Sequence, residues 1–404
     1  MRVPVFKNGR ARAWALSILL AVLIFATSRH YQMGDTYMAE NRFDSLSYQA
    51  MAAAAPRLPA PTVPYHHAQR FFFPYLLGCV ARATGASLPA LFRISVLLVC
   101  TLTSVAMLAA MDAFKLPTAW KQVLLCMLLF NPYAYRFFFS VPFVITEPIF
   151  LLGFSLVVLG IGTRRCAMTA TGLALAALAR QTGLALLPGL VFYYLLTGIR
   201  RDERPVSAAA RGGVSIAIPL LIYGVTAAVA MRFGESSRNL EHAVGIWAFL
   251  TRQHAGLGFT PFLGRIVLAL LPVLAVVPVA LWRGRRLTYE LWSLLILAGG
   301  VLAQPLFAGP VLTGTSGHRL AALSLPACLV FAAGVMEKSR GWPDGFSAYG
   351  LMALLFLSSL HHIYAFFGPR PEGQTSFLAV NVFTFISLAL VCAIRVRRNP
   401  MSSS

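Results

Sequence analysis

A chain of 404 residues is long enough for two or three soluble domains, but its composition excludes that architecture. Hydrophobic residues make up 58% of the chain, charged residues only 12%, and the mean hydropathy is +0.72, whereas soluble proteins contain about 25% charged residues. The net charge of +21 comes largely from basic residues between apolar runs, where they set membrane topology more often than they bind nucleic acid. The sequence therefore predicts an all-α, polytopic membrane protein with no nucleic-acid partner.

The apolar runs predict about twelve membrane spans within a single transmembrane domain, residues 1–404. The first run follows a basic segment without a convincing cleavage site, as in an uncleaved signal anchor. The predicted spans are 13–28, 90–111, 122–138, 143–161, 166–180, 183–198, 213–231, 263–282, 289–308, 318–336, 347–366 and 376–394. The runs 166–180 and 183–198 are short, so they form either two spans or one re-entrant hairpin.

The basic residues predict the orientation of the chain. Of the 34 lysines and arginines, 20 fall in seven short segments: 1–12, 112–121, 162–166, 199–212, 283–288, 337–346 and 395–404. The positive-inside rule makes these segments and both termini cytoplasmic. Every histidine then lies on the opposite side of the membrane or at its edge. The longest loop of the chain, residues 29–89, lies there too, and we expect it to contain short interfacial helices.

Asp44 and Tyr48 lie four residues apart in a short amphipathic segment of this loop, and so share one helix face. A carboxylate beside apolar surface at a membrane interface can have a raised pKa and act as a general base. An N-terminal cap for the helix is the alternative role for Asp44.

The next segment combines basic and aromatic side chains. His66, His67 and Arg70 offer up to three cationic donors beside the Phe71–Tyr75 cluster, which is typical of an interfacial helix. This combination suits an anionic lipid phosphate, although an unspecific headgroup anchor is equally compatible. Adjacent histidines in an extended loop would point in opposite directions, which disfavours a paired-histidine metal site.

Three further charged positions stand at the edges of apolar runs. Glu147, followed by Pro148, either caps a helix or faces a cavity. Arg180, followed by Gln181, needs an anionic partner, either Glu147 or a ligand phosphate. The pair His318 and Arg319 opens the tenth predicted span and either binds the same ligand or anchors the interface.

Several stretches, in order, resemble the GT-C membrane glycosyltransferases, closest to the PIG-V-like mannosyltransferases and related bacterial multispan glycosyltransferases. They are Asp44-x-x-x-Tyr48 with Met51-Ala52, Gln69 to Pro74, Asn131-Pro132 with Ser140 to Pro142 and Thr146 to Phe150, and Leu178 to Gly183. The resemblance covers residues 30–200, whereas residues 201–404 form a variable transmembrane half that matches in hydropathy and in His318-Arg319.

The resemblance implies a GT-C-like fold and an inverting, metal-independent transfer of a sugar from a polyprenyl-phosphate donor to a glycan, lipid or protein acceptor, with no cofactor. It implies that Asp44 is the catalytic base and that Arg70, or else Arg180, binds the donor phosphate. Glu147 would position the acceptor or orient Arg180. Asp35 lies where other GT-C branches place their acid, so it is the alternative base.

The sequence departs from the family pattern at Phe43 and Ser45, where a Trp and a Gly or Ala are usual. A lipid-linked glycan polymerase or ligase and a secondary transporter are the alternative functions. Short predicted cytoplasmic loops and an Ala- and Arg-rich composition predict a bacterial inner membrane, with the site at the periplasmic face among membrane lipids.

Overall fold

The structure of the protein is a computed structural model. It describes residues 7–28, 42–59, 63–116, 118–131, 133–200, 205–235, 263–264, 266–267, 269–270, 273–274, 287–313, 317–337 and 345–359. Asp35 and the predicted span 376–394 lie outside these residues, as does most of the predicted span 263–282.

The described chain is almost entirely helical, as the composition predicts. In chain order, the first elements are α1 (Lys7–Thr27), α2 (Arg42–Ala54), β1 (Val63–Pro64), α3 (Tyr65–Ala68), α4 (Phe72–Thr84), α5 (Leu88–Ala113), α6 (Thr118–Leu129) and α7 (Tyr135–Ser140). A 3₁₀ turn (Pro142–Val144) leads into α8 (Thr146–Thr163) and α9 (Cys166–Ala179), and a second 3₁₀ turn (Gln181–Leu186) leads into α10 (Leu187–Arg200). The remaining elements are α11 (Pro205–Ala230), β2 (Gly234–Glu235), α12 (Tyr289–Thr313), α13 (Gly317–Ala322), α14 (Leu325–Glu337) and α15 (Gly345–Ser359).

Four helical stretches among the described residues are long and apolar enough to cross a membrane: Leu88–Ala113, Pro142–Thr163, Ala210–Ala230 and Tyr289–Leu306. On α5, the exposed side chains Ile94, Leu98 and Leu102 follow one another at four-residue spacing. Such a stripe faces lipid rather than water, because soluble proteins seldom leave large apolar faces uncovered. These are features of an integral membrane protein.

Two of the predicted spans are each divided into two helices. The span 122–138 divides into α6 and α7 because the side chain of Asn131 closes a turn, accepting a hydrogen bond from the Tyr133 amide at 2.9 Å and donating one to the Ala269 carbonyl at 2.8 Å. The span 318–336 divides into α13 and α14 at Leu323 and Ser324, just before Pro326, whose ring cannot donate to the preceding turn. The short runs 166–180 and 183–198 correspond to α9 and α10, two helices of 14 residues each.

Close helix contacts depend on glycine at the α8–α9 crossing. A Cβ atom added to Gly172 would lie 2.5 Å from the Gly153 carbonyl oxygen, and one added to Gly153 would lie 2.6 Å from the Gly172 oxygen. The two backbones therefore touch, as at the small-residue crossings of membrane helices. This contact fixes the end of α9, where Arg180 follows, beside the start of α8, where Glu147 lies.

The first loop does carry short helices, as predicted, and it packs onto the bundle at one end. α4 crosses α2 at Gly78, where an added Cβ would fall 2.0 Å from the Ala52 carbonyl oxygen. The two-residue strand β1 pairs in parallel with β2, which follows α11. Tyr48 and Phe233 are buried in the small apolar cluster that this docking forms.

Candidate functional site

Five segments meet at this end of the bundle and bring charged and polar side chains into one buried cluster. We call it the charged cluster, and it consists of Asp44 and Tyr48 on α2, His67 and Arg70 at and after α3, Glu147 in the first turn of α8, Arg180 and Gln181 after α9, and Arg319 on α13. Of the predicted site residues that the structure describes, all except His66 and His318 belong to it, and Asp35 lies outside the described residues.

Asp44 contacts basic side chains from two other segments. Its Oδ1 lies 2.5 Å from His67 Nε2, and its Oδ2 accepts a hydrogen bond of 2.8 Å from Arg319. Asp44 is the third residue of α2, and its carboxylate is directed to these partners. These contacts go beyond the alternative prediction of a helix cap.

The electrostatics of Asp44 differ from the sequence prediction. Burial alone would raise the pKa of its carboxyl, but the Arg319 guanidinium, the His67 hydrogen bond and the nearby Arg70 outweigh it and hold the pKa well below its usual value. The prediction of a raised pKa is wrong for this state of the protein, because it considered the apolar surroundings and not the cations. Asp44 is an ionised, engaged carboxylate.

His67 is a neutral link between Asp44 and α2. It is 2% exposed, and burial lowers its pKa below the ordinary value of 6.5. The neutral ring donates from Nε2 to Asp44, and Nδ1 accepts from the Ser47 hydroxyl at 3.0 Å. The lowered pKa disfavours the predicted role of His67 as a cationic phosphate donor at neutral pH.

His66 lies at the edge of the cluster with an exposed side chain. Its ring centre is 4.0 Å from that of His67, because both residues belong to the helical turn α3 and not to an extended loop. The predicted extended loop, in which the two rings would point in opposite directions, is therefore wrong. The contact of His66 with the cluster is its backbone carbonyl, which accepts from Gln181 Nε2 at 2.9 Å.

Glu147 and Arg180 form the most deeply buried pair of the cluster. Glu147 Oε1 lies 2.5 Å from Arg180 Nη1 and 3.3 Å from Arg319 Nε. Glu147 is fully buried, and Arg180 and Arg319 are 3% and 5% exposed. The predicted partner of Arg180 is thus present, and Arg319 is not an exposed interface anchor.

Glu147 is also well placed for its own charge, since it lies in the first turn of α8, where the helix dipole favours a carboxylate. No side-chain cap hydrogen bond is formed at this helix start. Its second oxygen, Oε2, and Arg180 Nε have no hydrogen-bond partner among the described residues. Both atoms remain able to bind a ligand.

Arg70 differs from the other two arginines in its partners. It is 7% exposed and donates to Gln181 Oε1 at 2.9 Å and to the Tyr48 hydroxyl at 3.1 Å, both of which are neutral. Within the described residues no carboxylate lies at ion-pair distance from it. Three guanidiniums and two carboxylates thus share the cluster, which leaves an excess positive charge in a buried place.

The remaining predicted residues have supporting positions. Gln181 holds Arg70 through Oε1 and donates from Nε2 to Gln69 Oε1 at 2.6 Å. His318 is buried, with its ring centre 4.1 Å from that of Tyr133. Arg319 is the next residue, so this ring contact helps to hold it in position.

Sequence reasoning missed two polar residues, the half-buried Gln304 and the fully buried Arg136. Gln304 accepts a hydrogen bond from Thr182, next to Gln181, and Arg136 donates to Thr27 on α1 and to Ser359 on α15, each at 3.0 Å. Each stands alone in an apolar run, which is the pattern that marks functional or structural polar residues in membrane helices.

The apolar helices are those of a membrane protein, and a buried cluster with an excess of basic residues lies at one end of the bundle. The chain matches no protein-family model, no curated protein and no solved structure. The function is therefore argued from the chemistry of the cluster.

Proposed function

We propose that the protein is a GT-C-like glycosyltransferase that moves a sugar from a polyprenyl-phosphate donor to an acceptor hydroxyl at the periplasmic face, with inversion. The observation that carries the proposal is the charged cluster, in which a first-loop carboxylate, Asp44, pairs with Arg319, and Arg70 and Arg180 are buried in the same cluster. A leaving phosphate needs positive charge, and an attacking hydroxyl needs a base. The cluster contains both.

Arg70 is the first choice for binding the donor phosphate. Its present partners, Gln181 and Tyr48, are neutral, so a phosphate oxygen can replace them without breaking an ion pair. Arg180 adds a second donor through its Nε, while Glu147 keeps its guanidinium in position. In this way the excess positive charge is neutralised when the donor binds.

Asp44 accepts the proton of the acceptor hydroxyl. The hydroxyl oxygen attacks the anomeric carbon of the sugar, and the bond between that carbon and the phosphate oxygen of the donor breaks. Because Arg319 now occupies one oxygen of Asp44, the base is held in a weakly basic state. A donor phosphate that attracts Arg319 would free this oxygen and raise the pKa of Asp44. The base is then activated only in the presence of the donor.

The position of the cluster supports an enzyme over a transporter. Glu147 is the second residue of α8 and the sixth of the apolar stretch Pro142–Thr163, and about 24 Å of helix follows it at 1.5 Å per residue, so the cluster lies toward one end of the span. A transporter would place its charged residues near the bilayer midplane. The predicted cytoplasmic basic segments 112–121 and 162–166 follow the opposite ends of α5 and α8, which favours a periplasmic cluster.

The test is a transfer assay with the purified protein in lipid vesicles. Labelled sugar on polyprenyl phosphate should pass to a membrane-extracted acceptor, with release of polyprenyl phosphate in equal amount. If none of a panel of hexose donors supports transfer by folded protein, the proposal fails. Growth or joining of a preformed lipid-linked glycan would instead support the polymerase or ligase alternative.

The pH dependence of transfer tests the coupling of Asp44 to Arg319. The pKa of Asp44 is held well below its usual value, so Asp44 becomes protonated only at strongly acidic pH. Wild-type activity should therefore fall only there. In Arg319→Gln the burial effect remains and the neighbouring charge is lost, so the acidic limb of residual activity should move up by about one to three pH units. An unchanged limb, measured as kcat/KM against pH, would mean that Arg319 does not control this carboxylate.

A further inference from the structure

A cavity lies at the opposite end of α8 from the charged cluster. Including its open mouth it has a volume of about 380 Å³, and its lining includes Arg164 and Arg165 between α8 and α9, Tyr194 on α10 and Arg211 on α11. None of the nine described residues that line it is acidic. The cavity is therefore a basic pocket, which we call the arginine pocket.

The backbone of the α8–α9 turn holds two of the arginines in place. Arg164 has a left-handed conformation, with φ of 59°, and the Arg165 amide donates to the Gly160 carbonyl at 2.9 Å. Arg164 pairs with Glu290 of α12 at 3.2 Å, whereas Arg165 is exposed and its side chain has no partner among the described residues. The pocket thus contains the guanidinium of Arg165 in addition to the one that is ion-paired.

Buried hydroxyl groups also line the pocket. Tyr194 is 8% exposed and Thr169 is 1% exposed, and the Tyr194 hydroxyl lies 3.4 Å from Cys166 Sγ. Hydroxyls and guanidiniums together are suited to the oxygens of a phosphate. The chemistry indicates an anionic headgroup rather than a carbonyl or an apolar ligand.

Exposed apolar side chains follow the pocket residues along α10 and α11. Leu195 follows Tyr194 on α10 and is 61% exposed, and Val214 lies one helical turn after Arg211 on α11 and is 53% exposed. α11 continues as an exposed apolar helix, with Leu221 at 69%. An occupant with acyl chains would cover this surface, which a free anion would not.

We propose that the arginine pocket binds the phosphate headgroup of an anionic phospholipid, with its acyl chains along α10 and α11. The pocket includes Arg164 and Arg165 of the basic segment 162–166, and Arg211 of the segment 199–212. The charge distribution assigns both segments to the cytoplasmic side, where basic pockets between helices recognise anionic lipids. This site is separate from the charged cluster, so it does not depend on the proposed transferase activity.

The experiment is a lipid titration of delipidated, detergent-purified full-length protein, followed by native mass spectrometry. Phosphatidylglycerol and phosphatidylcholine are compared in wild type, Arg165→Gln, Arg211→Gln and the double variant. Each substitution should weaken phosphatidylglycerol binding about fivefold, the equivalent of about 1 kcal/mol per arginine near a membrane surface. Arg232→Gln is the matched control, because Arg232 is an exposed arginine beyond the other end of α11 and should leave binding unchanged.

Equal binding of phosphatidylcholine in wild type, or unchanged phosphatidylglycerol binding in the double variant, would overturn the proposal. Inorganic phosphate is titrated in parallel. If it binds the pocket as tightly as the lipid does, the site is one for a free anion and the lipid assignment fails. Arg165 is exposed, so Arg165→Gln folds normally and gives a result even if Arg211→Gln does not.

Discussion

Asp44→Asn is expected to lower the rate of sugar transfer by about 10²- to 10⁴-fold, which is the usual contribution of a general base. Asparagine has the shape of aspartate and can still accept one hydrogen bond, from either Arg319 or His67. It cannot take the proton of the acceptor hydroxyl. The measurement is kcat and the donor KM of protein reconstituted in vesicles, at matched protein amount and melting temperature.

The split between kcat and KM separates catalysis from ion pairing. A fall in kcat with a nearly unchanged donor KM supports the base, whereas a raised KM with normal kcat would mean that Asp44 only positions Arg319. Asp112→Asn is the matched control, since Asp112 also pairs with a basic residue, Lys121, but near the opposite end of the bundle. It should leave transfer unchanged.

A parallel Asp35→Asn variant addresses the alternative base. Asp35 lies outside the described residues, so its distance from the cluster is open to experiment. Loss of transfer with Asp35→Asn, and normal transfer with Asp44→Asn, would move the base to Asp35. It would leave Asp44 as the partner of Arg319.

The parts of this structure that local sequence determines were predictable. Four-residue spacing put Asp44 and Tyr48 on one face, and Arg70 contacts that same tyrosine. The cost of burying an unpaired charge suggested that Arg180 meets Glu147, and the two lie 2.5 Å apart. Both inferences need only local geometry or the rarity of charges in apolar runs.

The parts that depend on helix packing were not predictable. Asp44 binds Arg319, which is 275 positions away, and hydropathy carries no information on which helix ends meet. The lowered pKa of Asp44 follows from that contact, so the sequence prediction had the wrong sign. The pairing of β1 with β2 and the breaks after α6 and α13 likewise arise from single turns within otherwise apolar runs.

The deepest ion pair of the cluster leads to the second large effect, on stability. Glu147→Leu removes the carboxylate that pairs with Arg180 and touches Arg319, and leaves the Arg180 guanidinium buried without its partner. Breaking one side of a buried pair costs about 3–5 kcal/mol, because the remaining charge is neither solvated nor compensated. The free energy of unfolding, measured by denaturant titration in mixed micelles, should fall by that amount.

The double variant Glu147→Leu with Arg180→Leu separates the energy of the pair from its function. Because both charges are then replaced by apolar groups, most of the lost stability should return, since such replacements are often neutral. Transfer should not return with it, as Arg180 is proposed to bind the donor phosphate. Glu290→Gln, which breaks the more exposed pair with Arg164, is the control and should cost at most about 1 kcal/mol. Equal destabilisation of single and double variants would show that Glu147 stabilises the bundle through contacts other than Arg180, and a double variant with normal transfer would remove Arg180 from the donor site.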